Sequence, residues 1–228
     1  MLDSLYNKSV VCPVCQNKIE VTKVKSKDCV VASRDSDFCV YYESVNPLFY
    51  EVWVCEHCGY AALQERFENI SPIEAKIVKE NISKYWKPRS FCGERDVDKA
   101  IEAFKLALYN LCKISPKPIE YAKVCLRIAW LYRMKKDEQQ EIKFLNHALR
   151  YYRETYENEP FPVGKLDEHT CVYMIGELSR RVGNYDDAIF WFNKIISSPG
   201  ARENKALIDS TREQYHLAKE AKEAKEKA

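Results

Sequence analysis

Two Cys-x-x-C pairs, Cys12–Pro13–Val14–Cys15 and Cys55–Glu56–His57–Cys58, constrain this chain more than any other feature of it. Each pair sets two thiols on one tight turn. A residue that tolerates positive φ follows each turn, Gly59 directly after the second pair and Asn17 one position later after the first. Such a turn points both sulfurs at one atom, and two turns supply four thiolates. That is the ligand set of a tetrahedral structural zinc site with Zn–S bonds of about 2.3 Å. Cys12, Cys15, Cys55 and Cys58 are therefore the expected metal ligands, and four thiolates leave no coordination position open for catalysis. Iron uses similar knuckles, and the spacing leaves both metals open; zinc is expected because nothing in the chain points to an electron-transfer partner. The competing readings are two unrelated cysteine pairs packed as small apolar groups, or a redox pair. Neither pair sits in a βαβ pattern or precedes a strong helix start, which weighs against redox chemistry.

The other cysteines agree with this division. All ten make up about 4% of the 228 residues, below the ~8–10% of a disulfide scaffold. Six lie in the first 60 residues and four are scattered at 92, 112, 125 and 171. The start "MLDSLYNKSVVCPVC" shows no basic segment followed by an apolar one, and no apolar run is long enough to span a bilayer. The expected address is cytoplasmic, where close thiol pairs are metal ligands more often than disulfides. Net charge is +2, from 36 basic and 34 acidic side chains. This balance argues against a strong non-specific grip on nucleic acid or an anionic membrane.

Thirty-nine residues separate Cys15 from Cys55, more than in the common zinc ribbon. The insert predicts short strands over 19–25, 29–33 and 48–55, the last from a period-2 pattern of aromatic and β-branched residues. Between them lies "RDSDFCVYYESVNP" (34–47). Together with "CPVC", "NPLFYEVWVC" and "HCGYAA", this stretch resembles an uncharacterised bacterial family, domain of unknown function 2225, over most of the chain. The resemblance implies no activity. It supports the two knuckles as a unit and marks Arg34, Asp35, Asp37, Phe38 and Cys39 as a family motif without a known purpose. From the residues alone, Asp35 and Asp37 read as turn caps with Arg34 paired to one of them. The alternative, a carboxylate pair for acid–base work or a second metal, lacks a nearby histidine or phosphate loop. Cys39 and His57 are spare ligand candidates, His57 reading as a solvent-facing knuckle residue.

At Ser71 the character changes to helix. Ser71, Pro72 and Glu74 form an N-cap, a first-turn proline and a capping box, and Val97, Ala100, Ile101, Phe104, Leu108 and Leu111 share one helical face. A helix pair follows, its short turn marked by Asp137 and Gln140. In "CVYMIGELSRRVGNYDDAIFWFNKIISSPG", Gly176, Gly183, Tyr185, Ala188 and Phe192 fall on the small and large positions of a tetratricopeptide repeat. Gly176 and Ala188 allow close helix approach, Gly183 ends the first helix, and Tyr185 and Phe192 fill the gap between repeats. Two degenerate units precede it, one with Glu141 where a small residue is expected. The charged tail reads as a solvated capping helix. The expected fold is α+β and mainly α: a zinc-ribbon-like β domain over 1–70 and a tetratricopeptide-like α-helical domain over 71–228.

Repeat arrays bind partners on the concave face lined by the first helix of each pair. That mapping selects Arg127, Trp130 and Arg133 from one pair and Tyr173, Glu177 and Arg180 from the next as partner-binding residues. They suit a peptide with acidic and apolar character. Trp130 and Tyr173 read equally well as core residues. The leading function is a non-enzymatic zinc-stabilised adaptor for a protein partner. The alternative is nucleic-acid binding through the ribbon, where Lys18, Lys23, Lys25 and Lys27 line a strand. Residues 1–70 hold seven basic and ten acidic side chains, which weighs against it. A hydrolase using Asp35 and Asp37 lacks a visible nucleophile.

Overall fold

Strands come first, and in pairs. In the computed structural model, which describes residues 3–227, three separate antiparallel hairpins form: β1 (Leu5–Val11) with β2 (Lys18–Val24), β3 (Val31–Arg34) with β4 (Val40–Tyr42), and β5 (Val52–Val54) with β6 (Ala61–Leu63). Each hairpin turn carries one sequence motif: the first knuckle, the 35–39 motif, and the second knuckle. The predicted strand over 48–55 shortens to β5. Pro47–Tyr50 is instead a 3-10 turn, started by Pro47 and capped by the Asn46 side chain, which accepts the Leu48 N–H at 3.0 Å.

The helices are α1 (Gln64–Phe67), α2 (Pro72–Asn81), α3 (Val97–Ile114), α4 (Pro118–Met134), α5 (Glu138–Asn158), α6 (Glu168–Arg181), α7 (Tyr185–Ile196) and α8 (Lys205–Glu226). The α+β, mainly α architecture is the one the sequence predicts. Local signals set the helix starts. Ser71 Oγ accepts the Glu74 N–H and Glu74 accepts the Ser71 N–H, so the predicted capping box closes. Asp96, Asp137 and Asp167 cap α3, α5 and α6 by accepting the N–H three residues on.

By their contacts, residues group into two compact units that cut across residue 70. The first holds the chain up to Arg34, Val40–Pro116 and Arg127–Glu141; the second holds Asp35–Cys39, Lys117–Leu126 and the chain from Ile142 onward. In the first unit α3 packs its apolar face on β5, β6 and the 3-10 turn. Val52, Trp53 and Val54 are consequently all buried rather than alternating in and out. Trp53 and Tyr60 pack on Phe67, with ring centroids at 5.6 and 4.8 Å. Arg95, 4% exposed, lies in this core, where backbone carbonyls take its guanidinium. Its guanidinium donates to the carbonyls of Phe91, Phe49 and Val52 at 2.9–3.0 Å, and its N–H donates to Tyr50 Oη. Burial lowers its pKa to about 10, so it stays charged at neutral pH, its desolvation offset by oriented carbonyl dipoles.

In the second unit α6 and α7 form the predicted helix hairpin. A Cβ on Gly176 would lie 2.7 Å from the Phe192 ring, so the glycine is what admits that ring between the two helices. Phe192 thus fills space inside the hairpin. Gly183, at φ +79°, ends α6. Although its sequence reads as a solvated cap, α8 packs on α7 and buries Leu207, Ile208, Thr211, Gln214 and Ala218. Tyr121 of α4 stacks on Tyr151 of α5 at 4.7 Å. Glu141, the misfit in the repeat pattern, pairs with Arg133 at 2.6 Å.

Candidate metal centre

The two knuckles are built alike. In the first, the Gln16 N–H donates to Cys12 O at 2.8 Å and the Cys12 N–H donates to Asn17 O at 2.9 Å. In the second, the Gly59 N–H donates to Cys55 O at 2.9 Å and the Cys55 N–H donates to Tyr60 O at 2.8 Å. The left-handed residue of the first knuckle is Gln16, at φ 64°, not Asn17 as the sequence predicts. It takes the place of Gly59, at φ 74°. Asn17 serves differently, its side-chain amide donating to Cys15 Sγ at 3.4 Å.

This geometry brings Cys12, Cys15, Cys55 and Cys58 together, with all four Sγ atoms within 4.8 Å of one another. Between knuckles, Cys12 Sγ lies 3.7 Å from Cys58 Sγ and Cys15 Sγ 3.5 Å from Cys55 Sγ. A tetrahedron with metal–sulfur bonds of about 2.3 Å has edges of about 3.8 Å. The spacing fits a shared ion and is far longer than a disulfide bond. Cys12, Cys55 and Cys58 are buried and Cys15 half-buried, so the centre is closed. Hydrogen bonds from Cys55 and Cys58 hold the Cys12 thiol well below the usual thiol range, against the effect of burial, while its bond to Cys12 pushes Cys58 up. The four thiols cannot all ionise at this spacing without a countercharge, and a bound cation supplies one.

Sequence reasoning missed the groups that brace the second knuckle. Trp86 Nε1 donates to Glu56 O at 2.7 Å and Asn110 Nδ2 donates to Gly59 O at 3.2 Å. Arg89 stacks over the Trp86 ring at 4.3 Å. All three lie beyond residue 70, with no local pattern to link them to the cysteines. Because a Cβ on Gly59 would meet the Trp86 ring at 2.6 Å, Gly59→Ala should cost about 1–2 kcal/mol for the left-handed backbone and about 1–3 kcal/mol for overpacking. Gln16→Gly, at the matching position, should leave stability nearly unchanged. Thermal melts of the two metal-loaded variants check this contrast.

Of the spare candidates, His57 is exposed, as predicted, and lies 3.8 Å from Glu56. Cys39 is buried in the second unit's turn and is not one of the four clustered thiols. The lysines of the alternative reading do not line one strand face. Lys18 faces Val11 and Lys23 faces Tyr6 across the β1–β2 register, on opposite sides of the hairpin, and Lys25 and Lys27 lie beyond β2.

The six predicted groove residues are engaged within the chain. Arg127 pairs with Glu51 and sits 5.8 Å from the half-buried Trp130 ring, and Arg133 pairs with Glu141. Tyr173 and Glu177 are each 0% exposed, a correction to the open groove expected of them. They are covered by the 35–39 turn. Tyr173 Oη donates to Ser36 O at 2.8 Å, Ser36 Oγ donates to Glu177 at 2.6 Å, and the Phe38 and Tyr173 rings lie 5.5 Å apart. Arg180 binds Glu177 with two nitrogens at 2.8 and 2.9 Å, and Arg181 reaches Glu177 at 2.7 Å and Ser36 Oγ at 3.1 Å. Within the turn Asp37 accepts the Cys39 N–H at 3.3 Å, as expected of a cap, and it faces Arg181 at 3.6 Å.

Compared with known protein families, residues 5–218 match the model described as "Uncharacterized protein conserved in bacteria (DUF2225)". No curated protein and no solved structure matches the chain.

Proposed function

Because the chain belongs to the DUF2225 family of uncharacterised proteins conserved in bacteria, which supplies no activity, we propose its function from its own residues: a non-enzymatic, zinc-stabilised adaptor that binds a protein partner through its helices. The zinc is structural, since four thiolates complete its coordination and leave no position for substrate or water. The helices are tetratricopeptide-like, a reading supported by the Gly176–Phe192 contact and by Ala188 buried in the same hairpin. One observation carries the binding role. The α6 face already holds a peptide turn by its backbone carbonyl, its hydroxyl and its aromatic ring at once, which is how peptide-reading surfaces work.

The test is capture by the 228-residue chain from native lysate, in nuclease-treated and untreated arms, with Arg180→Ala/Arg181→Ala as the comparison. A protein partner that survives nuclease and weakens at least tenfold with the double variant supports the adaptor. Capture that disappears with nuclease would move the function to the hairpin lysines. Elemental analysis of the same preparation identifies the metal.

A further inference from the structure

Helix α6 reads the 35–39 turn at every level a peptide offers. Ser36 presents its carbonyl to Tyr173 and its hydroxyl to Glu177 and Arg181. Asp37 and Asp35 face Arg181 at 3.6 and 4.0 Å. Phe38 lays its ring on Tyr173 and remains 39% exposed, held in the left-handed region at φ 68°. A non-glycine residue in that region is held there against its backbone preference. Buried ion pairs also contribute less to stability than apolar packing of the same volume. The chain keeps both features here, where they fix one turn on one helix face.

We infer that Asp35–Cys39 is a built-in ligand of the α6 face, and that this face accepts from a partner a turn of the same chemistry: acidic, hydroxyl, acidic, aromatic. The inference rests on the adaptor reading and names its partner's chemistry. The partner displaces the resident turn, so the native chain binds more weakly than a chain whose turn no longer fits. Tyr173 supplies a hydroxyl and a ring, Glu177 orients the two guanidiniums, and Arg181 reads the acidic positions. The partner's aromatic side chain takes the half-exposed place of Phe38.

The experiment uses the full chain carrying Ser36→Ala, Asp37→Asn and Phe38→Ala together, titrated with a synthetic peptide of residues 33–41 with Cys39→Ser. Backbone amide shifts are followed by NMR. Saturable shifts confined to Tyr173–Arg181, at least tenfold weaker for the native chain and for a peptide with Asp37→Arg, support the inference. A folded variant that does not bind the peptide overturns it, and the turn is then an anchor only. Should the triple variant fail to fold, hydrogen exchange on the native chain decides. Amides of 35–39 exchanging at least tenfold faster than those of α6 show a separable ligand; exchange only through global unfolding overturns it. A captured partner that ignores α6 variants would sink this inference and leave the adaptor standing, whereas peptide binding without any cellular partner would do the reverse.

Discussion

Removing the metal should unfold the two knuckle hairpins. Structural zinc contributes about 10–16 kcal/mol of apparent binding free energy in zinc-finger peptides, as much as the ~5–15 kcal/mol net stability of a typical domain. Hairpins β1–β2 and β5–β6 are each two strands wide, and an isolated two-stranded hairpin is marginal in water. The expected result is one metal per chain in protein purified without chelator, and loss of the first unit's cooperative melt after chelation or Cys55→Ser. Trp53, 1% exposed and packed on Phe67, reports the loss by its fluorescence. Cys112 is exposed, and Cys112→Ser should leave metal and melt unchanged. A chain that keeps its fold and its Trp53 signal without metal would show that the cysteines are simply apolar packing.

The second large effect is expected at Glu177. This carboxylate is fully buried and receives Ser36, Arg180 and Arg181. Glu177→Ala takes from Arg180 and Arg181, 21% and 18% exposed at their side chains, the carboxylate they share, and leaves Arg181 only the longer contacts to Asp37 and Asp35. Breaking a buried ion pair from one side typically costs about 3–5 kcal/mol. Glu177→Gln keeps the shape and one acceptor and should recover part of the loss. The exposed Arg89–Glu102 pair, with side chains 45% and 48% exposed, is the comparison; removing Glu102 should cost no more than about 1 kcal/mol. Chemical denaturation of the three variants at neutral pH gives the ranking. Equal costs for Glu177→Ala and Glu102→Ala would mean that the α6 network adds nothing to the fold.

Some of this was legible in single residues. The Cys-x-x-C pairs named all four clustered thiols because a knuckle is local: the turn, its left-handed residue and its two sulfurs lie within six positions. Ser71, Pro72 and Glu74 announced α2 for the same reason, as did Gly176 and Gly183 for the α6–α7 hairpin. The misreadings were also local in origin. Alternation over 48–55 suggests a strand, but Pro47 and the Asn46 cap turn its first half into a 3-10 helix. Repeat positions on α6 suggested an open groove at Tyr173 and Glu177, and helical periodicity cannot say which side of a buried helix a remote segment covers.

What the sequence by itself determined is therefore the four clustered thiols, the main helix starts, the closely approaching α6–α7 pair and the α+β class, all of which depend on neighbours within a turn or two. Tertiary structure alone decided the rest. Trp86 and Asn110 meet the second knuckle across 30 and 51 residues of chain. Arg95 finds its carbonyls more than 40 residues away at Phe49 and Val52. Ser36 meets Glu177 across 141 residues, which turns a predicted partner groove into the seat of the chain's own motif. Each of these contacts joins a side chain to a backbone or charge whose position is fixed by packing rather than by sequence distance. A buried polar group must find a partner somewhere, and only the packed chain determines where.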